Sequence, residues 1–437
     1  MIRSIRDLVA PEDVGAALPH EHVLHNIGAM VATGGSNSAD LEIRMEDLVD
    51  YRGAPYAHGG RNMLMQKEDE AFRELERLQQ LGNSRSKPLV VDVTLPVEGR
   101  DVFVKERLNL AERLQNLNLL TVTTFEVERI NKEFTKGLSP KEQRERIAKT
   151  LEAELMFGIE TGGVVAFPGA IYQQIHANGG LDAKHRILAE GLGLAQAQTH
   201  APLYLSFSFD MESEDGIVQA VLEWIHALLD AGAKSNKLVV CHVDRWCQGK
   251  FDLMSLLDLG VTVLFDMVGL AAVSDVMLIN PCHSKMISSD EFLGICYQEP
   301  SPDSQLVSYI ANLLKTKTYL QQILLSTNVH QRIQYRRYGG GGYIYLFEKF
   351  KRRLLRQGVT EVEWDQIVRG NAVNLLAWFV APDAPPIPKN YLQCSICGNY
   401  FEPIEGEYFT KFTFTYCGTK CLRRHSRQKF APLTDKK

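Results

Sequence analysis

No stretch of this chain is long and apolar enough to cross a membrane as a helix. The longest candidate, Gly260 to Asn280, is interrupted by Asp266 and Asp275, so it reads as a buried strand running into a loop or helix. No secretory leader is expected either. Met1 to Val14 carries Arg3, Arg6, Asp7, Glu12 and Asp13 around a short apolar patch, and a cytoplasmic protein without membrane attachment is expected. An excess of one charge sign is also lacking: a formal net charge of -5 gives no general attraction to nucleic acid or to an anionic bilayer. There is no G-x-G-x-x-G and no P-loop, and the glycines Gly339 to Gly342 fall after the last apolar strand, where they read as a flexible turn.

Cysteine is sparse and unevenly spread. Cys241, Cys247, Cys282 and Cys296 are scattered through the middle, and a long cysteine-free gap separates them from Cys394, Cys397, Cys417 and Cys421. In a reducing compartment this crowding points to a metal before a disulfide.

At 437 residues, 45% of them apolar and 23% charged, the chain can bury one large core and a small second one. The first distinctive stretch is Leu18-Pro-His-Glu-His-Val-Leu24. In an extended strand, residues i and i+2 share a face, so His20 and His22 can reach one point while Glu21 faces away. Two converging imidazoles suit zinc, with further ligands supplied from elsewhere; the alternative is a strand end whose histidines bond to backbone.

Downstream, short apolar runs alternate with helical patterns. Phe72, Leu75, Leu78 and Leu81 repeat at helical spacing before Gly82, and strand Pro88–Thr94 follows. A helix over Arg107–Leu117 leads to strand Leu119–Phe125. Ser139-Pro140 with Glu142 forms a capping box that opens a helix to about Ile159. Strand Gly163–Phe167, helix Lys184–Gln198, strand Leu203–Phe207, helix Asp215–Ala231 and strand Lys237–His242 come next. A short helix at Asp252–Leu257, strand Val261–Phe265, helix Asp303–Lys315 and strand Gln322–Ser326 complete the alternation, and helices Leu346–Gln357 and Thr360–Phe379 close it. Eight such units predict an α/β protein with a TIM (β/α)8 barrel, the His pair lying at the C-terminal end of the first strand where such barrels keep their chemistry.

With the strands placed, residues 1–381 resemble the phosphotriesterase and phosphotriesterase-related branch of the amidohydrolase superfamily. The resemblance rests on His20-Glu21-His22, Gly99-Arg100-Asp101, Cys241-His242-Val243-Asp244-Arg245, Leu264-Phe265-Asp266, Tyr338 to Tyr343 and Gly358-Val-Thr360. It implies a binuclear metal hydrolase with two histidines from strand one, a bridging carboxylate from strand four, histidines from strands five and six and an aspartate from strand eight. Carried over, His20, His22 and His242 are retained, whereas the other positions fall on Phe167, Ser206 and Asn328. Phenylalanine cannot bridge two cations, and Asn328 cannot take a proton from a metal-bound water. The expectation is a degenerate metal centre in a non-catalytic binding or scaffold protein. The alternative is a mononuclear zinc hydrolase of an ester, lactone or amide, with zinc on His20, His22 and His242. Asp266 or Asp244 would then be the replacement base; Asp266 otherwise caps a strand end or pairs with an arginine.

Residues 382–390, rich in proline, read as a stiff linker. The module 391–437 pairs Cys394-Ser-Ile-Cys397 with Cys417-Gly-Thr-Lys-Cys421, a four-thiolate structural zinc signature similar to a treble-clef or zinc-ribbon finger. His425 is expected at the surface. Lys420, Arg423, Arg424, Arg427 and Lys429 make the last helix basic, but no base-reading aromatics accompany them, so a protein partner is expected rather than nucleic acid, with a small-molecule ligand in the barrel mouth.

Overall fold

A computed structural model describes residues 1–28, 42–53, 55, 59–82, 86–177, 181–208, 214–246, 253–270, 302–380, 390–396, 400–427 and 429–430. It divides into two units, Met1–Phe379 and Val380–Lys437.

In the first unit the β-branched and leucine-rich runs form eight parallel strands: β1 (Val14–Glu21), β2 (Lys87–Asp92), β3 (Asn118–Thr123), β4 (Pro168–His176), β5 (Leu203–Ser208), β6 (Leu238–Val240), β7 (Thr262–Phe265) and β8 (Ile323–Leu325). They pair in chain order, each beside its sequence neighbours, as consecutive right-handed β/α units require. Helices Glu68–Glu76, Val104–Arg113, Pro140–Phe157, Ala183–Thr199, Glu214–Asp230, Leu253–Asp258 and Asp303–Leu314 separate them. The capping boxes at Ser139 with Glu142 and at Thr360 with Glu363 both form.

Alternate residues fill the barrel. Leu89, Val91 and Val93, Leu120 and Val122, Ala170 and Tyr172, Tyr204, Val239 and Cys241, Leu264 and Leu324 make one buried cluster, which Ile2, Ala372, Leu375 and Leu376 join from the chain ends. The ladder runs from β1 to β8 without a backbone pairing between those two strands. Glu21 closes that seam with its side chain. Its Oε1 accepts from Ser326 Oγ at 2.7 Å, Thr327 N at 2.8 Å and Thr327 Oγ1 at 2.7 Å, and its Oε2 from Val329 N at 2.7 Å.

The fourth strand corrects the sequence expectation. Val164–Ala166 is one arm of an antiparallel hairpin with Ile159–Thr161, turning at Gly162 and Gly163, both at positive φ. The barrel strand starts at Pro168. Pro168-Gly169 reads as punctuation, yet proline is tolerated as a strand's first residue, and Gly169 is needed because a Cβ there would stand 2.4 Å from Arg3 O.

In the second unit, Leu392–Gln393 pairs with Tyr400–Phe401 and Phe409–Lys411 with Phe414–Tyr416, followed by helix Thr419–Arg427. Of the expected linker at 382–390, residues 382–389 lie outside the described residues. No helix among the described residues is long and apolar enough to cross a membrane.

Candidate functional site

The strand ends converge on Asp266, the residue after β7. His20 Nδ1 lies 2.9 Å from its Oδ2 and His242 Nδ1 lies 2.8 Å from its Oδ1, while His242 N donates to Oδ2 at 3.2 Å. Burial would push this carboxyl up, but the nearby His242 and His20 outweigh it and hold it below the usual carboxylate range. Asp266 therefore pairs with two histidines, where the sequence suggested a strand cap or an arginine.

A carboxylate only accepts, so His242 donates through Nδ1 and its Nε2 is left to accept from Ser206 Oγ at 3.0 Å. Tyr172 lies close to Ser206, and its ring stands 5.4 Å from that of His20. Burial, with Cys241 nearby, keeps Tyr172 protonated far above the ordinary phenol range.

The His22 ring stands 6.0 Å from that of His20, centroid to centroid. Its Nδ1 contacts Thr94 Oγ1 at 3.1 Å; Thr94 donates to Asp92 Oδ1 at 2.6 Å, and Arg107 Nε donates to Asp92 Oδ2 at 2.5 Å. Because the Thr94 hydrogen is committed to Asp92, His22 donates through Nδ1. Burial and the neighbouring His25 hold His22 well below the usual imidazole value, and burial pushes His330 down to about 4. Asp244, the second candidate base, is buried and accepts from Met267 N.

Glu98 joins the site without having been foreseen. Its Oε2 is 3.8 Å from His22 Nδ1 and accepts from Leu95 N at 2.8 Å, and its Oε1 accepts from Gln174 Nε2 at 3.2 Å. Burial raises its carboxyl to about 7. The sequence signal was the adjoining Gly99, whose φ of 99° and closeness to Asn26 mark a required glycine in the turn that presents Glu98.

Phe167 is not at the mouth. It precedes β4 at the opposite end, its N donating to Ile5 O at 3.0 Å and its ring lying 4.2 Å from the Arg3 guanidinium carbon. The fourth-strand residue that reaches the site is Tyr172, so the bridging acid is missing by a different substitution from the one the sequence suggested. With Tyr172, Ser206 and Asn328 at strands four, five and eight, the donor set does not fit a binuclear centre, since nothing anionic could bridge two cations. The donors of His20, His22 and His242 are not all within 4.8 Å of one another. Among the described residues the barrel donors within 4.8 Å of one another belong to His20, Cys241 and Asp266, and an ion there would have to displace Asp266 from its imidazoles.

Two further marks distinguish this end of the barrel. His242 and Asn328 have φ of 59° and 44°, left-handed conformations that strain a side-chain-bearing residue by about 1–3 kcal/mol and cluster at functional sites. His20 Nε2 and Asn328 Oδ1 are buried without a hydrogen-bond partner among the described residues.

In the tail, the sulfurs of Cys394, Cys417 and Cys421 lie within 4.8 Å of one another, those of Cys417 and Cys421 at 3.6 Å. Cys397 falls outside the described residues. Three such thiols fit a thiolate-bound metal. His425 is buried rather than on the surface: its Nδ1 is 2.8 Å from Tyr416 Oη and its ring sits 4.6 Å from that of Phe414.

A family model described as the phosphotriesterase family matches residues 1–376, and one described as the Vms1-associating treble clef domain matches residues 389–433. A phosphotriesterase-related protein of Nematostella vectensis is 23% identical over 379 residues, 85% of this chain and 97% of its own length. An N-acetyltaurine hydrolase of Rattus norvegicus is 23% identical over 373 residues, 85% of this chain and 96% of its own. A resiniferatoxin-binding protein from Rhodobacter sphaeroides shares the fold with a TM-score of 0.63 at 21% identity, covering 86% of this chain and 94% of that one. With eight strands in sequential order, histidines at the ends of the first and sixth, and a match over most of its length, this chain belongs to the phosphotriesterase family and carries a C-terminal treble clef domain.

Proposed function

We propose that the barrel hydrolyses a small acyl compound, an ester, lactone or amide, at a site that has exchanged the family's binuclear metal centre for protein groups. The observation that supports this most is the Asp266 carboxylate held between His20 and His242 at the strand ends. A buried histidine and carboxylate in that arrangement form a general base, and the chemistry to be catalysed is that of the family. The relatives named N-acetyltaurine hydrolase make an N-acyl amide the first class to try. The orphaned His20 Nε2 and Asn328 Oδ1 favour a polar substrate, which would satisfy groups otherwise left desolvated.

The test is turnover by the full chain on a panel of short-chain esters, lactones and N-acyl amines, with and without a chelator or added zinc. Hydrolysis that survives chelation and is lost in Asp266→Ala supports the reading. A protein inert across the panel that is thermally stabilised by one of its members would replace it with a second reading, a non-catalytic binding or scaffold protein. That reading is favoured by the loss of the carboxylate and histidine ligands on strands four, five and eight. Activity that appears only with one zinc per barrel would instead indicate a mononuclear hydrolase.

For the tail we infer a structural zinc on Cys394, Cys397, Cys417 and Cys421 and a docking role toward a protein partner, in a cytoplasmic protein whose thiols stay reduced. The treble clef family's description as Vms1-associating supports a protein partner over nucleic acid.

A further inference from the structure

We propose that Ser206, His242 and Asp266 form a nucleophilic triad, so that this barrel cleaves its acyl substrate through a covalent ester on Ser206 rather than by attack of a metal-activated water. The inference rests on the hydrolase reading above and deepens it by naming the nucleophile.

Ser206 lies in the last half of β5, and His242 and Asp266 follow the ends of the neighbouring strands β6 and β7, so that their contacts run in one line. Ser206 Oγ is 3.0 Å from His242 Nε2, and His242 Nδ1 is 2.8 Å from Asp266 Oδ1. This is the geometric signature of an activated serine: nucleophile to base to orienting carboxylate, each within hydrogen-bond reach, recognised by roles rather than by position in a sequence. Ser206, His242 and Asp266 are all buried, which strengthens each electrostatic contact. The strained φ of 59° at His242 sets the imidazole between its two partners. Asp266 also receives His242 N and faces His20 Nδ1, so the carboxylate is fixed from several directions. Tyr172, close to Ser206, supplies a hydroxyl donor beside the reacting carbon.

The substitution that removes the fifth-strand histidine ligand therefore creates the new constellation. A histidine at position 206 would have been a ligand; a serine there is a nucleophile aimed at the histidine of the next strand.

The chemistry balances without any further reagent. Ser206 Oγ attacks the substrate carbonyl carbon as His242 Nε2 takes the hydroxyl proton, and the carbonyl π pair moves to oxygen, where Tyr172 Oη–H donates. Collapse of the tetrahedral species breaks the bond to the leaving alcohol or amine, which receives the proton from His242. Water then gives a proton to His242 Nε2, attacks the Ser206 ester and releases the carboxylic acid, and Ser206 recovers its proton. Asp266 stays ionised throughout and is a positioning residue.

The experiment uses the full-length protein with a fluorophosphonate probe and with p-nitrophenyl acetate. Expected are a one-to-one adduct that peptide mass spectrometry places on Ser206, and a burst of nitrophenol equal to the enzyme concentration, both insensitive to a chelator. Ser206→Ala should abolish the adduct and lower kcat by about 10³-fold or more. Asp266→Asn should lower kcat per folded molecule, the folded fraction being read by circular dichroism, with KM nearly unchanged and the pH profile of kcat displaced, and Tyr172→Phe should lower kcat by about 10²-fold. Ser206→Cys keeps a nucleophile in place: its acyl adduct should become a thioester cleaved by neutral hydroxylamine, whereas the serine ester resists. That readout stands even if the alanine variant folds poorly. Hydrolysis of the panel that persists in a folded Ser206→Ala protein, with no label on Ser206, would overturn the triad and leave the hydrolase reading intact. Absence of both label and turnover in the unmodified protein would overturn both.

Discussion

Glu98 is held protonated by its surroundings: buried, it has a carboxyl value near 7, against an ordinary value of 4.5. The sign of the stability effect follows. Below about pH 4.5 the group is protonated in both folded and unfolded chains and contributes no difference. Between 4.5 and 7 the unfolded chain ionises while the folded one keeps its proton, so stability falls as pH rises, and above 7 the full penalty, on the order of 3 kcal/mol, is present. In denaturant titrations at pH 5 and pH 8, Glu98→Gln should therefore gain on the parent protein as pH rises. Equal pH dependence in the two proteins would show that Glu98 is not buried in its charged form. Glu21 gives a second prediction. Four donors from Ser326, Thr327 and Val329 depend on it, so Glu21→Ala should lower unfolding free energy by about 3–5 kcal/mol, and Glu21→Gln, whose amide opposes one N–H with another, by about 1–3 kcal/mol. At this scale the placement of His20 and His242 at strand ends was legible, because motif spacing is local, whereas Asp266 as the group that both imidazoles face was not. Glu98 and Tyr172 were not, since their roles arise from burial and from strands far away in the chain.

At the scale of elements, seven of the eight barrel strands were read from β-branched runs bounded by turn residues, to within a few positions. The fourth was displaced into Gly163–Phe167. That segment looks like a strand because it is one, but it pairs with Ile159–Thr161 rather than with the barrel. The true strand, Pro168–His176, opens on Pro-Gly and carries Gln173 and Gln174, so it lacks the continuous apolar run of a buried parallel strand. The two glutamines are explained by partners on opposite faces of the strand: Gln174 holds Glu98 at the mouth, and Gln173 Oε1 accepts from Thr124 Oγ1 and Phe125 N at 3.4 Å. The position that fixes this strand is Gly169, where a Cβ would meet Arg3 O at 2.4 Å and Leu120 Cδ2 at 2.8 Å. Its φ is not left-handed, so the constraint is steric. Gly169→Ala should lower stability by about 1–3 kcal/mol without changing the slope of the denaturant transition, whereas Gly53→Ala, with open space around its Cβ position, should be nearly neutral or slightly stabilising.

At the scale of the whole molecule the two units rest on different physics. The barrel buries apolar side chains on every strand. Among the described tail residues only Cys394 and Tyr416 are buried hydrophobics, with His425 inserted beside Tyr416, while Leu392, Ile404 and Phe412 are exposed. An apolar core that small offsets little of the conformational entropy of ordering the segment, so the clustered thiols of Cys394, Cys417 and Cys421 are expected to hold the tail through a bound metal. The spacing of its cysteines made this legible in the sequence, whereas the burial of His425 was not, because a lone histidine on a basic helix looks solvated. Zinc measured by elemental analysis should be one per chain in the tail and should vanish in a Cys394→Ser, Cys417→Ser double variant. In that variant, or after chelation, proteolysis should remove residues beyond about 380 quickly, while the main thermal transition, which reports the barrel, should move by no more than a degree or two. A tail that stayed protease-resistant without metal would show that Tyr416, Phe414 and His425 form a sufficient core by themselves. A barrel transition that fell by many degrees with the tail's metal would show instead that the two units unfold as one.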